Sequence, residues 1–131
     1  MDIIKAADQF VGVPYRIHGR DPTAWDCWGC VRYIRQELFG KSSPSWTEAY
    51  NALDFKSLDK LEETIRAHMG GWIETEVKPG TVLLFKTLAR DAHVGLYLDK
   101  GLFIHAMMKC QTAIVPLEDW KNRLVAAYDT E

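Results

Sequence analysis

The sequence predicts an α+β fold, with N-terminal helices packed on an antiparallel β-sheet. Two observations carry the prediction. Apolar residues recur at helical spacing as far as Phe39, and from Trp72 onward short apolar runs alternate with Gly, Pro and Asp punctuation. Helices first and strands afterwards is the order of an α+β domain. The 131 residues make one ordinary domain, spanning 1–131.

The first helix is expected over residues 2–11, where Ile3, Ile4, Ala7, Phe10 and Val11 share a face and Gly12 with Pro14 stops the run. Residues 13–26 read as loop, with turn chemistry at Gly19, Asp21 and Pro22. A second helix begins at Asp26 or Cys27 and ends at Phe39. Asp26 is its N-cap, Val31, Ile34 and Leu38 form its stripe, and Gly40 is its stop. Residues 41–46 are irregular. A third helix is expected over 58–69, capped by Ser57, with acids early and bases (Arg66, His68) late, as the helix dipole favours. Strands follow at 72–77, 81–86, 93–98, 102–107, 112–116 and 123–128, with Asp99-Lys100-Gly101 as a hairpin loop.

A composition of 47% apolar and 26% charged residues is that of a globular domain able to bury a core without staples. The formal charge of −2 argues against nucleic acid as a main partner, because phosphate neutralisation needs a basic surface. No stretch approaches the 18 apolar residues of a membrane span. The opening Met1-Asp2-Ile3-Ile4-Lys5 lacks the apolar run of a signal peptide, so synthesis in the cytoplasm without the usual export is expected. Three cysteines imply no even disulfide framework.

Cys27 falls in the first turn of the second helix, where outward-pointing N–H groups favour a thiolate, the nucleophilic form. By position alone it reads equally well as a buried structural cysteine. Cys30 completes a Cys-x-x-Cys pair, but no second pair is spaced for zinc and no strand precedes it, so it is expected to pack inward. Cys110 reads as structural. His93 and His105 lie on adjacent strands. If the hairpin loop has three residues, Leu98 pairs with Leu102, His105 lies opposite Gly95, and both imidazoles share a face as diagonal neighbours. A two-residue loop would put them on opposite faces, so the catalytic reading needs an odd loop or a bulge. Gly95 is expected to leave room between the rings. His18 and His68 read as surface or dipole contacts. The chemistry these residues suit is acyl transfer from an amide: Cys27 attacks, His93 is general base, His105 orients it, and the Cys27 N–H forms part of an oxyanion hole.

Gly12-Val13-Pro14-Tyr15, Gly19-Arg20 and Asp26-Cys27-Trp28-Gly29 together resemble the NlpC family of cell-wall cysteine peptidases. So do Pro79-Gly80-Thr81-Val82-Leu83-Leu84-Phe85, His93-Val94-Gly95-Leu96-Tyr97, Phe103-Ile104-His105-Ala106 and Ile114-Val115-Pro116-Leu117. The resemblance spans nearly the whole chain, in order. It implies a papain-like fold, a Cys27–His93–His105 triad and a requirement for no metal or other cofactor. It implies oxyanion or substrate contacts from Tyr15, Asp26 and Trp28, and hydrolysis of the peptidoglycan stem peptide, often between γ-D-glutamyl and diaminopimelate. Most members carry Ser where this chain has Trp28, a departure at a position associated with stem-peptide binding. Gly19-Arg20-Asp21-Pro22 with Trp25-Asp26-Cys27-Trp28-Gly29 looks like the branch found in bacteriophage tails and prophage-like particles. That branch implies action at the cell wall from within a tail particle, with other tail proteins as partners. Two alternatives stand beside it: a tail-assembly component with little or no activity, and an acyltransferase or amidase of other specificity on the same scaffold.

Overall fold

A computed structural model describes residues 2–45, 72–86, 92–107 and 110–130. The helix expected over 58–69, with Ser57 and His68, lies outside the described residues. The first helix is short: α1 spans Ile3–Ala7, capped by the Asp2 carboxylate on the Lys5 N–H, and tightens into a 3₁₀ turn at Asp8–Phe10. Ala7 and Phe10 point into the core. The segment read as loop holds a small hairpin, β1 (Arg20–Asp21) against β2 (Ala24–Trp25), around the turn at Pro22-Thr23.

The second helix, α2, runs Cys27–Phe39 with Asp26 as N-cap and Gly40 in the left-handed conformation at φ 66°, the boundaries expected from the sequence. Its stripe (Val31, Ile34) packs on the sheet. The strands are β3 (Trp72–Thr75), β4 (Val82–Lys86), β5 (Ala92–Asp99), β6 (Leu102–His105), β7 (Ala113–Pro116) and β8 (Leu124–Thr130). They form one antiparallel sheet in the order β3-β8-β4-β5-β6-β7.

Side chains alternate across a strand, so β4 faces two cores. Val82 and Leu84 meet α2, whereas Leu83 and Phe85 meet Phe103 and Ala127 on the other face. That second face is roofed by the 3₁₀ helix Leu117–Arg123 through Leu117 and Trp120. Arg35 of α2 is buried without exposure. It bonds Asp129 of β8 at 2.5 Å and the Gly80 carbonyl at 2.9 Å, and its guanidinium lies 4.6 Å from the Trp72 ring centroid. Lys41 adds a second cation to Asp129 at 2.8 Å. Helix, sheet centre and sheet edge are thereby fastened at one point. Among the described residues no helix is long and apolar enough to cross a membrane.

Candidate active site

The site is built where the N-terminus of α2 meets β5. Asp26 fixes the approach. Its buried carboxylate accepts from the Gly29 N–H at 2.8 Å, the His18 N–H at 2.9 Å and the Arg20 guanidinium at 2.9 Å. Arg20 also donates to the Ser45 carbonyl at 3.0 Å, and His18 turns through φ 65° to deliver its N–H. The hairpin crosses the helix so closely that a Cβ on Gly29 would stand 2.0 Å from the Gly19 carbonyl oxygen. Cys27 therefore starts a helix whose first turn is clamped from outside.

Cys27 keeps some exposed surface as a residue, yet its sulfur is enclosed by protein. The backbone N–H groups of Val94 and Trp28 point toward the sulfur. Val94 follows His93 in β5, so the thiol lies against the strand that carries the histidine. Burial, and then the Asp26 carboxylate, push the thiol up to about 12 from its ordinary 9.0; the two N–H groups and Arg20 pull the other way and lose. The helix N-terminus favours a thiolate, whereas desolvation and a carboxylate one residue away push this sulfur in the opposite direction.

His93 and His105 come together. His93 Nε2 and His105 Nδ1 are 2.8 Å apart, with ring centroids at 5.0 Å. The expected shared face is present, by a different route. The hairpin loop has two residues, Lys100 and Gly101, both at positive φ, and a bulge between Tyr97 and Asp99 restores the odd count. Beyond the bulge Leu96 pairs with Ile104 and Tyr97 with Phe103, a register that sets His105 opposite Gly95. At Gly95 a Cβ would meet the Phe103 ring at 2.8 Å, so the missing side chain makes room for Phe103.

Burial lowers His93 to about 3, helped by His105, and burial lowers His105 to about 4. Both rings are neutral at neutral pH. One nitrogen of the short contact must then donate and the other accept. If His93 carries its proton on Nε2, Nδ1 is left as a lone pair able to accept a proton.

The other expected residues divide. Tyr15 is half-buried, bridges Trp25 in parallel register, and packs against the same cluster as Cys27. The Thr112 N–H and hydroxyl both donate to Val13, and the Trp25 indole donates to Thr112, so this segment is held firmly. Asp26 and Trp28 are buried. The Asp26 carboxylate is fully enclosed by the three donors above. The Trp28 indole is buried, donates to the Pro44 carbonyl at 2.8 Å and packs on Trp72. Both side chains make supporting contacts within the fold, and at the position of the family Ser the Trp28 ring fills part of the core. Cys30 is buried as expected, whereas Cys110, read as structural, is exposed. Among the described residues no group of three or more His, Cys, Asp or Glu is placed to hold a metal. The sequence reading missed Trp120, which covers both histidines; an isolated Trp in the polar stretch Glu118–Arg123 was the available signal.

The NlpC/P60 family model matches residues 12–129. The chain belongs to the NlpC/P60 family. This NlpC/P60 domain is 25% identical over 118 residues to Protein P54 of Enterococcus faecium, covering 90% of the chain and 20% of that protein. It is 29% identical over 104 residues to the probable endopeptidase p60 of Listeria welshimeri, covering 79% and 17%. It is 26% identical over 114 residues to the murein DD-endopeptidase MepS/murein LD-carboxypeptidase of Escherichia coli K12, covering 86% and 53%. The chain thus spans between 17% and 53% of the length of these relatives. The crystallised NlpC/p60 domain of the peptidoglycan hydrolase SagA superposes with a TM-score of 0.64 at 21% identity, covering 98% of this chain and 97% of that one. NlpC2 from Trichomonas vaginalis superposes at 0.63 and 17%, covering 95% and 45%. At these identities the structural likeness speaks for the fold: helices packed on an antiparallel sheet in the papain-like NlpC/P60 arrangement.

Proposed function

We propose that this NlpC/P60 domain is a cysteine peptidase that hydrolyses an amide bond in peptidoglycan stem peptides. Cys27 is the nucleophile, His93 the general base and His105 the residue that orients it. The observation that carries the reading is the His93–His105 contact of 2.8 Å on the strand whose next N–H, that of Val94, points at the Cys27 sulfur. The names of the p60 and MepS relatives as endopeptidases support the reaction class.

In the resting site thiol and imidazole are both neutral. A lone thiolate and a lone imidazolium are each disfavoured by burial, but each supplies the opposite charge the other needs. The proton therefore leaves Cys27 as the sulfur attacks the acyl carbon and His93 Nδ1 receives it. The S–C bond forms, the C–N bond breaks, and the same proton passes to the leaving amine. Water, deprotonated by the freed imidazole, then cleaves the thioester. The Cys27 N–H, which has no intrahelical acceptor at the first helical position, stabilises the oxyanion, and the Tyr15 hydroxyl serves the oxyanion or the substrate.

The finer reading is cleavage between γ-D-glutamyl and diaminopimelate by a domain carried on a phage-tail or prophage particle. It is made in the cytoplasm and acts at the cell wall beside other tail proteins. The motif around Arg20-Asp21-Pro22 and Trp25–Gly29 supports it. Purified protein incubated with defined muropeptides and followed by mass spectrometry tests the chemistry. New amine and acid termini are expected, and Cys27→Ala abolishes them with an unchanged circular dichroism spectrum. Products joined to an added amine would mean transfer in place of hydrolysis. A second reading, a tail-assembly component with a silent site, is favoured by the neutral resting thiol and imidazoles. It requires Cys27→Ala particles to assemble and infect normally; normal assembly with lost infection defeats it.

A further inference from the structure

We propose that Trp120 is a positioning residue for the His93–His105 pair: its indole closes the outer side of the pair and holds the two imidazoles in one hydrogen-bonded alignment. The inference rests on the proposed role of the pair and adds a residue from a separate element. Trp120 stands on the 3₁₀ helix Leu117–Arg123, outside the sheet. Its ring lies edge-on to His105, with centroids 5.0 Å apart at 84°, and tilted over His93 at 5.8 Å and 36°. Phe85, at 5.3 Å from the indole, and Phe103, at 6.0 Å, complete the enclosure. The same two phenyl rings stand 6.1 Å from His93 and 4.9 Å from His105.

The geometry assigns each ring a task. An imidazole on a strand turns freely about its last side-chain torsion unless neighbours fill the swept volume. Here Phe85 and Phe103 fill it from the sheet, and Trp120 fills it from above. Water reaching the Nε2–Nδ1 contact would offer both nitrogens other partners and let the proton settle on either ring. With the indole in place each imidazole has its neighbour as partner, and one tautomer of His93 presents Nδ1. Burial of the pair is what keeps both rings neutral, and part of that burial is the indole. Charged and titratable groups on the surrounding elements include Lys86 on β4, Tyr97 and Asp99 on β5, Cys27, Arg32, Arg35 and Glu37 on α2, and Glu118, Asp119, Lys121 and Arg123 on the 3₁₀ helix. Lys121 and Glu118 pair with each other in solvent at 2.6 Å. The Arg123 guanidinium lies 5.1 Å from the indole centroid, a cation–π contact that braces the indole.

The test is ring-nitrogen NMR of the full chain, following both histidines from about pH 5 to 8, where an ordinary imidazole titrates. In the wild type both rings are expected to stay neutral with one fixed tautomer each. In Trp120→Ala both should titrate inside that window, their midpoints moved up by about two units or more for His93 and about one or more for His105, toward the ordinary value, with tautomer signals averaged. Trp120→Leu keeps apolar volume beneath the 3₁₀ helix, so it serves where alanine fails to fold, and the same upward shift is expected. Trp120→Phe, which restores a ring, should return the wild-type pattern. Unchanged midpoints and tautomers in Trp120→Ala, or in Trp120→Leu where that stands in, overturn the proposal. The readout is protonation and not turnover. A wild type that cleaves no muropeptide therefore defeats the peptidase reading, while the indole's effect on the pair is still measured.

Discussion

The charge state of the resting site follows from how tightly its three titrating side chains are enclosed. The Cys27 thiol holds its proton and the two imidazoles refuse one, so the chemistry begins from an uncharged constellation. The identities of these residues were legible in the sequence because each sits at a position with geometric meaning: the first turn of a helix, and one face of two adjacent strands. Their enclosure was not legible, because it comes from Trp120 and from Phe103 filling the space above Gly95. Trp28 shows the same limit. Beside a candidate nucleophile it reads as a substrate contact, yet its indole is spent on Pro44 and Trp72. Trp28→Ser, which installs the family's usual residue, would leave a cavity against Trp72 and an unbonded Pro44 carbonyl. A loss of about 3–5 kcal/mol is expected, measured as a lowered urea midpoint at constant slope. Wild-type stability in that variant would remove the indole from the core.

Two elements convert local sequence into site geometry. The first is the start of α2, where one carboxylate performs three tasks. Asp26 caps Gly29, pairs with Arg20 and receives the His18 N–H. The cap was legible as Asp followed by a helical run. The clamp was not, since Arg20 reaches Asp26 only because β1 and β2 fold back as a hairpin that short polar runs do not announce. Asp26→Ala removes the cap and takes one acceptor each from the partly buried Arg20 guanidinium and the His18 N–H. A destabilisation of about 2–4 kcal/mol is expected. Asp26→Asn, which keeps an acceptor for Gly29, should lose clearly less, and equal losses would reduce Asp26 to a simple charge. The second element is the β5–β6 hairpin. The sequence stated the requirement, an odd loop or a bulge, but Asp99-Lys100-Gly101 does not say which. Lys100 accepts the left-handed conformation beside Gly101, making the loop even, and the Tyr97–Asp99 bulge repairs the register.

At the scale of the whole molecule, strand order was the least legible feature. Local signals give six strands, but β8 inserts between β3 and β4 through contacts some fifty residues apart, and loop closure over such distances leaves no local trace. What secures that insertion is the buried Arg35, held by Asp129 of β8. Removing Asp129 would strand a guanidinium in the interior with Lys41 as its near neighbour. Asp129→Ala is therefore expected to cost about 3–5 kcal/mol, read by chemical denaturation, whereas a cost below that of an ordinary surface substitution would make the pair dispensable.

The whole molecule also reports the state of its site through pH. His93 and His105 have folded values of about 3 and about 4, below the ordinary 6.5. Between those values the unfolded chain binds protons that the folded chain refuses, and stability rises with pH wherever the unfolded state binds more protons. The contribution of the pair is therefore present above pH 6.5 and is lost as pH falls through 4 toward 3. Cys27 works in the opposite sense. Its folded value of about 12 exceeds the ordinary 9.0, so above pH 9 the unfolded chain releases a proton that the folded chain keeps. That contribution is full below pH 9 and is lost as pH climbs toward 12, and the buried Cys30 adds to the same limb. A stability plateau between pH 6.5 and 9 with a fall on either side is expected from thermal unfolding across pH. Replacing both histidines by Gln should flatten the acid side, and Cys27→Ala should flatten its share of the alkaline side. An acid limb unaltered by the double replacement would mean that the imidazoles are not held neutral, and the uncharged starting point of the proposed mechanism would fall with it.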